Sequence, residues 1–138
     1  MREILFRGKT EAGEWVEGFY AKSGDKTFIL IDNDIAVGYV TMKEVISETF
    51  GQFTGLYDKN DKRIYEGDVV KREFTLWRGE TKKTRETQIG VVVYSNKDCG
   101  FKVEKKCNLR KPWDGDTIEV IGNIHDNPEL LKEGEGEE

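Results

Sequence analysis

The chain is poor in the residues from which most recognisable active sites are built. In 138 residues there are two cysteines, Cys99 and Cys107, one histidine, His125, and two prolines. A tetrahedral Cys/His zinc site takes four such ligands, and the chain holds three, so zinc would need a carboxylate or a second subunit. A Cys-His nucleophilic pair is possible by count alone. Neither cysteine, however, follows the kind of sequence that lowers a thiol pKa at a helix start. A Cys99–Cys107 bridge would span a hairpin, which the spacing permits and a reducing compartment disfavours. His125 falls in Gly122-Asn-Ile-His-Asp-Asn-Pro128 and reads as a turn residue. Glycines are scattered singly, with neither a G-x-x-x-x-G-K-[ST] loop nor a G-x-G-x-x-G turn. Nucleotide-driven chemistry, and any cofactor, therefore goes unsupported. No apolar run approaches the roughly 20 residues of a membrane helix. The opening Met1-Arg-Glu-Ile-Leu-Phe-Arg7 carries charge where a signal peptide needs apolar residues, so the expected location is cytoplasmic.

What the chain does have is charge, aromatics and turns. Charged residues make up 36% and hydrophobic residues another 36%, with mean hydropathy −0.67. Phe 7, Tyr 5 and Trp 3 supply the bulky core material that disordered chains lack. Gly 15 against Pro 2 points to tight turns rather than a Pro-rich linker. The length suits one domain, expected over 1–131, followed by an acidic, disordered tail at 132–138 that has no apolar residue.

The dominant period is two. In Gly13-Glu-Trp-Val-Glu-Gly-Phe-Tyr20, Trp15 and Phe19 share one strand face, and Val16 and Tyr20 share the other. Lys26–Ile31 and Ile35–Val40 read as strands joined by a turn at Asp32-Asn33-Asp34. Further strands are expected at 48–54, 68–77, 87–94, 101–104 and 117–121. The periodicity thus predicts an all-β fold, a small SH3-like barrel or sandwich of short antiparallel strands with one or two short helices. One helix is placed at 41–47, where Thr41-Met-Lys-Glu44 fits a capping box and Met42, Val45 and Ile46 make a stripe. The other begins at Asn127-Pro128, with Asn127 as its cap.

Charge is segregated. Residues 71–85 and 97–111 each hold six Lys/Arg and two Asp/Glu, while the whole chain carries −5. The first stretch interleaves cations with Phe74 and Trp77. Pairing of 68–77 with 87–94 makes 78–86 the tip of a long hairpin. Lys71, Arg72, Trp77, Arg78, Lys82, Lys83 and Arg85, with Lys105, Lys106, Arg110, Lys111 and Trp113 of the second stretch, are the candidate binding residues. Three uses fit them: an acidic protein partner, self-association, or nucleic acid held by cations and aromatic stacking. The plainer use is a solvated hairpin whose lysines blunt a sheet edge, with Phe74 and Trp77 in the core. Trp113, after Pro112, is either an exposed interface residue or the cap of one end of the fold. A different class of function would draw on Asp58, Asp61, Glu66 and Asp68, close enough in sequence for a metal-dependent hydrolase. Turn chemistry accounts for each of them equally well, and for Asp114 and Asp116 too.

One block departs from generic β sequence: Gly51-Gln-Phe-Thr-Gly-Leu-Tyr-Asp-Lys-Asn-Asp-Lys-Arg-Ile-Tyr-Glu-Gly-Asp-Val-Val70. With Arg2-Glu-Ile-Leu-Phe-Arg7 and Glu119-Val-Ile-Gly-Asn-Ile-His-Asp-Asn-Pro-Glu-Leu-Leu131, it resembles the YopX family of phage and prophage proteins. The resemblance implies a small, mostly β protein of a phage or prophage, with no catalytic residues and no established activity to carry over. The family's usual turn glycine is Asp61 here, which predicts a left-handed residue at that position. Gly55 and Gly67 are expected to take positive φ for the same reason. The run from Glu66-Gly-Asp68 through Ile89–Tyr94 to Gly100–Val103 resembles the strand order of an SH3-like barrel. The expected role is that of a non-catalytic accessory module that binds a macromolecule or itself.

Overall fold

The computed structural model describes residues 4–34, 39–97, 99–104, 107–108 and 117–131. The chain is mostly β, as its period-two patterning requires. Its strands are β1 (Phe6–Lys9), β2 (Trp15–Ser23), β3 (Lys26–Asp34), β4 (Tyr39–Val45), β5 (Gly51–Tyr57), β6 (Arg63–Tyr65), β7 (Asp68–Arg78), β8 (Lys82–Ser95), β9 (Gly100–Val103), β10 (Cys107–Asn108) and β11 (Thr117–Asn123). They form two antiparallel sheets, ordered β4-β3-β2-β1-β5-β6 and β10-β9-β8-β7-β11. Neither sheet closes on itself, so the barrel closure expected from the strand order is not found. No helix among the described residues is long and apolar enough to cross a membrane.

The chain divides into two compact units, Met1–Gly55 and Leu56–Glu138. The first is built on Val16, Ile29 and Val45, with Phe6, Ile31 and Phe50 packed against them. Strand alternation selects these side chains: register pairs Gly8 with Val16 and Phe6 with Gly18, so the even residues of β1 and β2 share the inner face. Tyr20 continues that face, and its ring lies 4.8 Å from Phe50 and 5.6 Å from Phe6. Gly18 has to be small, because a Cβ there would collide with the Leu30 carbonyl oxygen. The odd residues Trp15 and Phe19 face outward, as the alternation predicts, and Phe19 is exposed.

Two expectations in this unit fail. Residues 41–45 are strand, not helix: β4 pairs with β3 from Thr27↔Val45 to Asp34↔Tyr39. A strand puts Val45 inward and Met42 outward, where a helical stripe would have placed both on one side. The helix-like element that does form is a 3-10 turn at Ser47–Thr49. The Thr49 hydroxyl donates to the Ile46 carbonyl at 2.6 Å and accepts from the Lys9 N–H at 2.8 Å, which ties the turn to β1. Nor does the chain turn at Asp32-Asn33-Asp34. These residues lie in β3, where a register shift between Asp32 and Asp34 absorbs the irregularity. Residues 35–38 lie outside the described residues.

In the second unit the core is Ile64, Val70, Val92, Phe101 and Val103, with Ile118 and Val120 against it. β7 is flanked by β8 and β11, and β8 by β7 and β9. Gly67 has φ 92, and the tight turn it permits lets its N–H donate to the Val92 carbonyl while its own carbonyl accepts from Ile124. Gly55 also has positive φ, 88, although it lies within β5 rather than at a turn. At the C-terminal end, residues 129–131 are helical. Asn127 does not cap them: its Oδ1 accepts the N–H of Asn123, behind it, at 3.4 Å. His125 is a turn residue, its N–H donating to Asn123 Oδ1 at 3.0 Å. Cys99 is free and exposed. The tail at 132–138 lies outside the described residues.

Candidate functional site

The carboxylates of the central block are structural. Asp58 is buried, and its two oxygens accept three backbone N–H groups: Oδ1 from Asn60 at 2.8 Å and Lys62 at 2.9 Å, Oδ2 from Val120 at 2.9 Å. Burial alone would raise its pKa. The N–H donors of Val120, Lys62 and Asn60, helped by the Lys62 charge, outweigh that and hold it below the ordinary aspartate value. Asp68 is buried as well, and its Oδ2 accepts the Tyr65 N–H at 2.8 Å. Asp61 has φ 62, so it occupies the left-handed position predicted for it. Among the described residues no three His, Cys, Asp or Glu side chains group to hold a metal. Of the set Asp58, Glu66 and Asp68, the two aspartates serve as backbone anchors and Glu66 is half-buried.

The basic stretch 71–85 folds as the hairpin predicted for it, with a tighter tip. β7 and β8 pair from Val69↔Val91 to Arg78↔Lys82, leaving residues 79–81 as the turn, with Gly79 at φ 78. At its base the hairpin is core: Val69, Val70, Val91 and Val92 are buried. β11 accompanies β7 as far as Glu73, and β9 accompanies β8 only from Val92 onward. Between Phe74↔Glu86 and Arg78↔Lys82, therefore, the two strands have no other strand partner among the described residues. Among the described residues this segment is a two-stranded arm.

Alternation distributes the arm's side chains over two faces. Lys71, Glu73, Thr75 and Trp77 lie opposite Ile89, Thr87, Arg85 and Lys83 on one face. On this face Glu73 sits 3.4 Å from Lys71 and 4.0 Å from Arg85, and Arg85 also donates to Thr75 Oγ1 at 3.1 Å. Nearer the tip, Lys83 Nζ lies over the Trp77 ring at 5.5 Å. Trp77 is 60% exposed, the highest value of any large hydrophobic side chain among the described residues. The placement of Trp77 in the core is thereby overturned. On the opposite face Arg72 lies over the half-buried Phe74 at 4.4 Å and donates to Gln88 Oε1 at 3.3 Å. Lys82, exposed, is in register with Arg78. A single positive face is thus not what the 71–85 stretch makes: its cations are shared between both sides of one ribbon. Lys105, Lys106, Arg110, Lys111, Trp113, Asp114 and Asp116 lie outside the described residues.

Two features escaped the sequence reading. Glu73 is the neutralising partner on the arm, legible only once the register places Arg85 beside it. In the first unit, Phe19, Leu30 and Met42 align across β2, β3 and β4 as an outward apolar row, with Phe19 57% and Met42 58% exposed. Assigning Met42 to a helix had hidden that row.

Taken together, an open two-sheet β architecture, aspartates spent on backbone donors and a basic ribbon with an exposed tryptophan define a small β protein whose distinctive described surface is the outer part of the β7–β8 hairpin. The YopX protein family model matches residues 5–132, nearly the whole chain, and the chain belongs to that family. Among solved structures, the crystal structure of protein EF1440 from Enterococcus faecalis is similar over 95% of this chain and 99% of that one, with 23% identity and a TM-score of 0.52. That likeness is one of fold. A search of curated proteins finds no match.

Proposed function

We propose that this chain is a non-catalytic accessory module of a phage or prophage, working inside the host cell by engaging another macromolecule or a second copy of itself through the β7–β8 arm. One observation supports the reading above the rest: the arm's outer pairs, Phe74↔Glu86 to Arg78↔Lys82, carry an exposed Trp77 beside Lys83 instead of a core. An exposed tryptophan that is not needed for packing is the kind of residue that dominates binding surfaces. A metal-dependent hydrolase has less to draw on, since Asp58 and Asp68 already accept backbone donors.

The test compares the full chain with two variants, Trp77→Ser/Lys83→Ser on the arm and Phe19→Ser on the outer face of the first unit. Light scattering reads the mass in solution, and affinity capture from phage-infected cells reads partners. The proposal predicts a mass above the 15.9 kDa of one chain, or a captured partner, lost in the arm variant and kept in Phe19→Ser. A 15.9 kDa species whose captured partners ignore the arm substitutions overturns it.

A further inference from the structure

We infer that the occupant of the β7–β8 arm is nucleic acid, its phosphates met by Lys82, Lys83 and Arg85 and a base stacked on Trp77; this rests on the arm being the binding surface, as proposed above. Charge narrows the field first. Between Phe74 and Glu86 the arm holds Arg78, Lys82, Lys83 and Arg85 against Glu80 and Glu86, an excess of cations on a chain whose net charge is −5. Two such arms repel one another, which disfavours arm-to-arm pairing of two copies. This excess of two cations favours an anionic partner.

Geometry separates nucleic acid from an acidic protein surface. Lys83 and Arg85 share one face with Trp77, whereas Lys82 belongs to the other. A flat acidic patch laid on the ribbon could meet only one of these sets. A phosphate backbone passing along or around the ribbon meets both, as does a groove with phosphates on either wall. Spacing agrees: residues two apart on a strand are separated by about 6.7 Å. Phosphates on one strand of a duplex rise about 3.4 Å per nucleotide along the axis but lie farther apart along the winding backbone, so Lys83 and Arg85 can reach neighbouring phosphates.

Trp77 supplies the interaction that an acidic peptide cannot use. Its ring is 60% exposed, and Lys83 Nζ sits 5.5 Å from its centroid, so an aromatic surface and a cation are presented together. Each nucleotide carries a flat base and a charge, which is that combination in complement. Glu73 marks where the surface stops. By drawing Lys71 toward itself at 3.4 Å it lowers the positive field at the base of the arm and leaves the tip dominant, while Arg85, at 4.0 Å, is held more loosely.

The experiment uses the purified full chain and fluorescence anisotropy with three labelled probes: a single-stranded 15-mer oligonucleotide, a 20-base-pair duplex of arbitrary sequence, and a poly-glutamate peptide. The expected result is oligonucleotide binding at about 50 mM salt that weakens by roughly twenty- to fortyfold at 200 mM, as three phosphate contacts imply. Lys83→Ala/Arg85→Ala should flatten the salt dependence by one to two phosphate contacts' worth, roughly one to two in log-log slope. Trp77→Ala should weaken single-strand binding by about five- to a hundredfold, with Trp77→Phe recovering much of the loss. Thermal melts of each variant confirm that the hairpin is intact, since a merely structural Trp77 would move the melt and leave the salt slope unchanged. A preference for the 15-mer assigns the stacking mode, and one for the duplex assigns the groove mode. The inference falls if neither oligonucleotide binds at 50 mM salt, or if binding ignores the arm substitutions. If poly-glutamate binds in their place and the arm substitutions abolish that, nucleic acid is excluded while the arm remains the binding surface.

Discussion

A single side chain, Asp58, closes the turn between β5 and β6 and fastens it to β11. Its carboxylate accepts from Asn60 and Lys62 locally and from Val120 at a sequence separation of 62. Removing a buried acceptor leaves its donors desolvated and unpaired, at about 1–3 kcal/mol for each such group. Asp58→Ala should accordingly lower the unfolding free energy by about 3 kcal/mol, and Asp58→Asn by about 1–2 kcal/mol, in urea titrations. The pH dependence has a definite sign. Because the folded pKa lies below the unfolded one, near 3.9, the carboxylate's contribution is complete above that pH and is lost as pH falls through the folded value. Wild type should therefore lose stability below about pH 4 more steeply than Asp58→Asn, as thermal melts between pH 2.5 and 7 would show. Asp61 gives a second prediction. At φ 62 it accepts a left-handed conformation that glycine takes freely. Asp61→Gly should be neutral or stabilising by up to about 1 kcal/mol, and Asp61→Val should cost about 1–2 kcal/mol.

Residue-level features of this kind were legible where one position and its immediate neighbours decide them. Asp61 and Gly67 could be read because positive φ is a property of one residue in one turn. Asp58 could be read as a turn former, but its bond to Val120 depends on how β7 and β11 pair, and nothing in a run of eleven residues reports that.

At the scale of elements, pattern and partner competed. The hairpin of β7 and β8 was legible because two long alternating runs flank Gly79. The strand β4 was not. Thr41-Met-Lys-Glu44 has the composition of a capping box, yet pairing with β3 and burial of Val45 override that local preference. The same distinction governs the arm's behaviour. From Val69 to Arg72, β7 has strands on both sides, with buried valines at its start. From Phe74 to Arg78 its strand partner among the described residues is β8 alone. Two-stranded ribbons are marginal in water. Amide exchange followed by mass spectrometry or NMR should be fast at 74–86 and slow at 69–72 and 89–92. Inside the arm, Lys83 over Trp77 is a cross-strand cation–π pair in the open. A double-mutant cycle on the two should return a coupling of about 0.5–1 kcal/mol.

For the molecule as a whole, composition was the better guide to class and alternation the better guide to surface. A mostly β chain could be anticipated from a period of two. The choice between a closed barrel and open sheets could not, because closure depends on which edges meet and not on the strands themselves. Charge segregation was visible as two basic runs, but the ribbon sorts the first of them onto opposite sides, a consequence of register. With a pI near 5.1, colloidal repulsion is weakest near pH 5. Turbidity scanned from pH 3.5 to 8 should peak there, and 200 mM salt should change the position of that maximum little.

The bond from Asp58 to Val120 also orders events on the ribosome. Every strand that lines the core of the amino-terminal unit has been synthesised by Phe53, whereas β7 waits for its flanking strand, and Gly67 for the Ile124 N–H, until translation has passed residue 124. At about 5–20 residues per second the interval between Asp58 and Ile124 lasts roughly 3–13 s. Through that time a nascent chain carries a finished leading half and a trailing half whose valine strands stand uncovered, so chaperone dependence during synthesis should concentrate on the residues after Gly55.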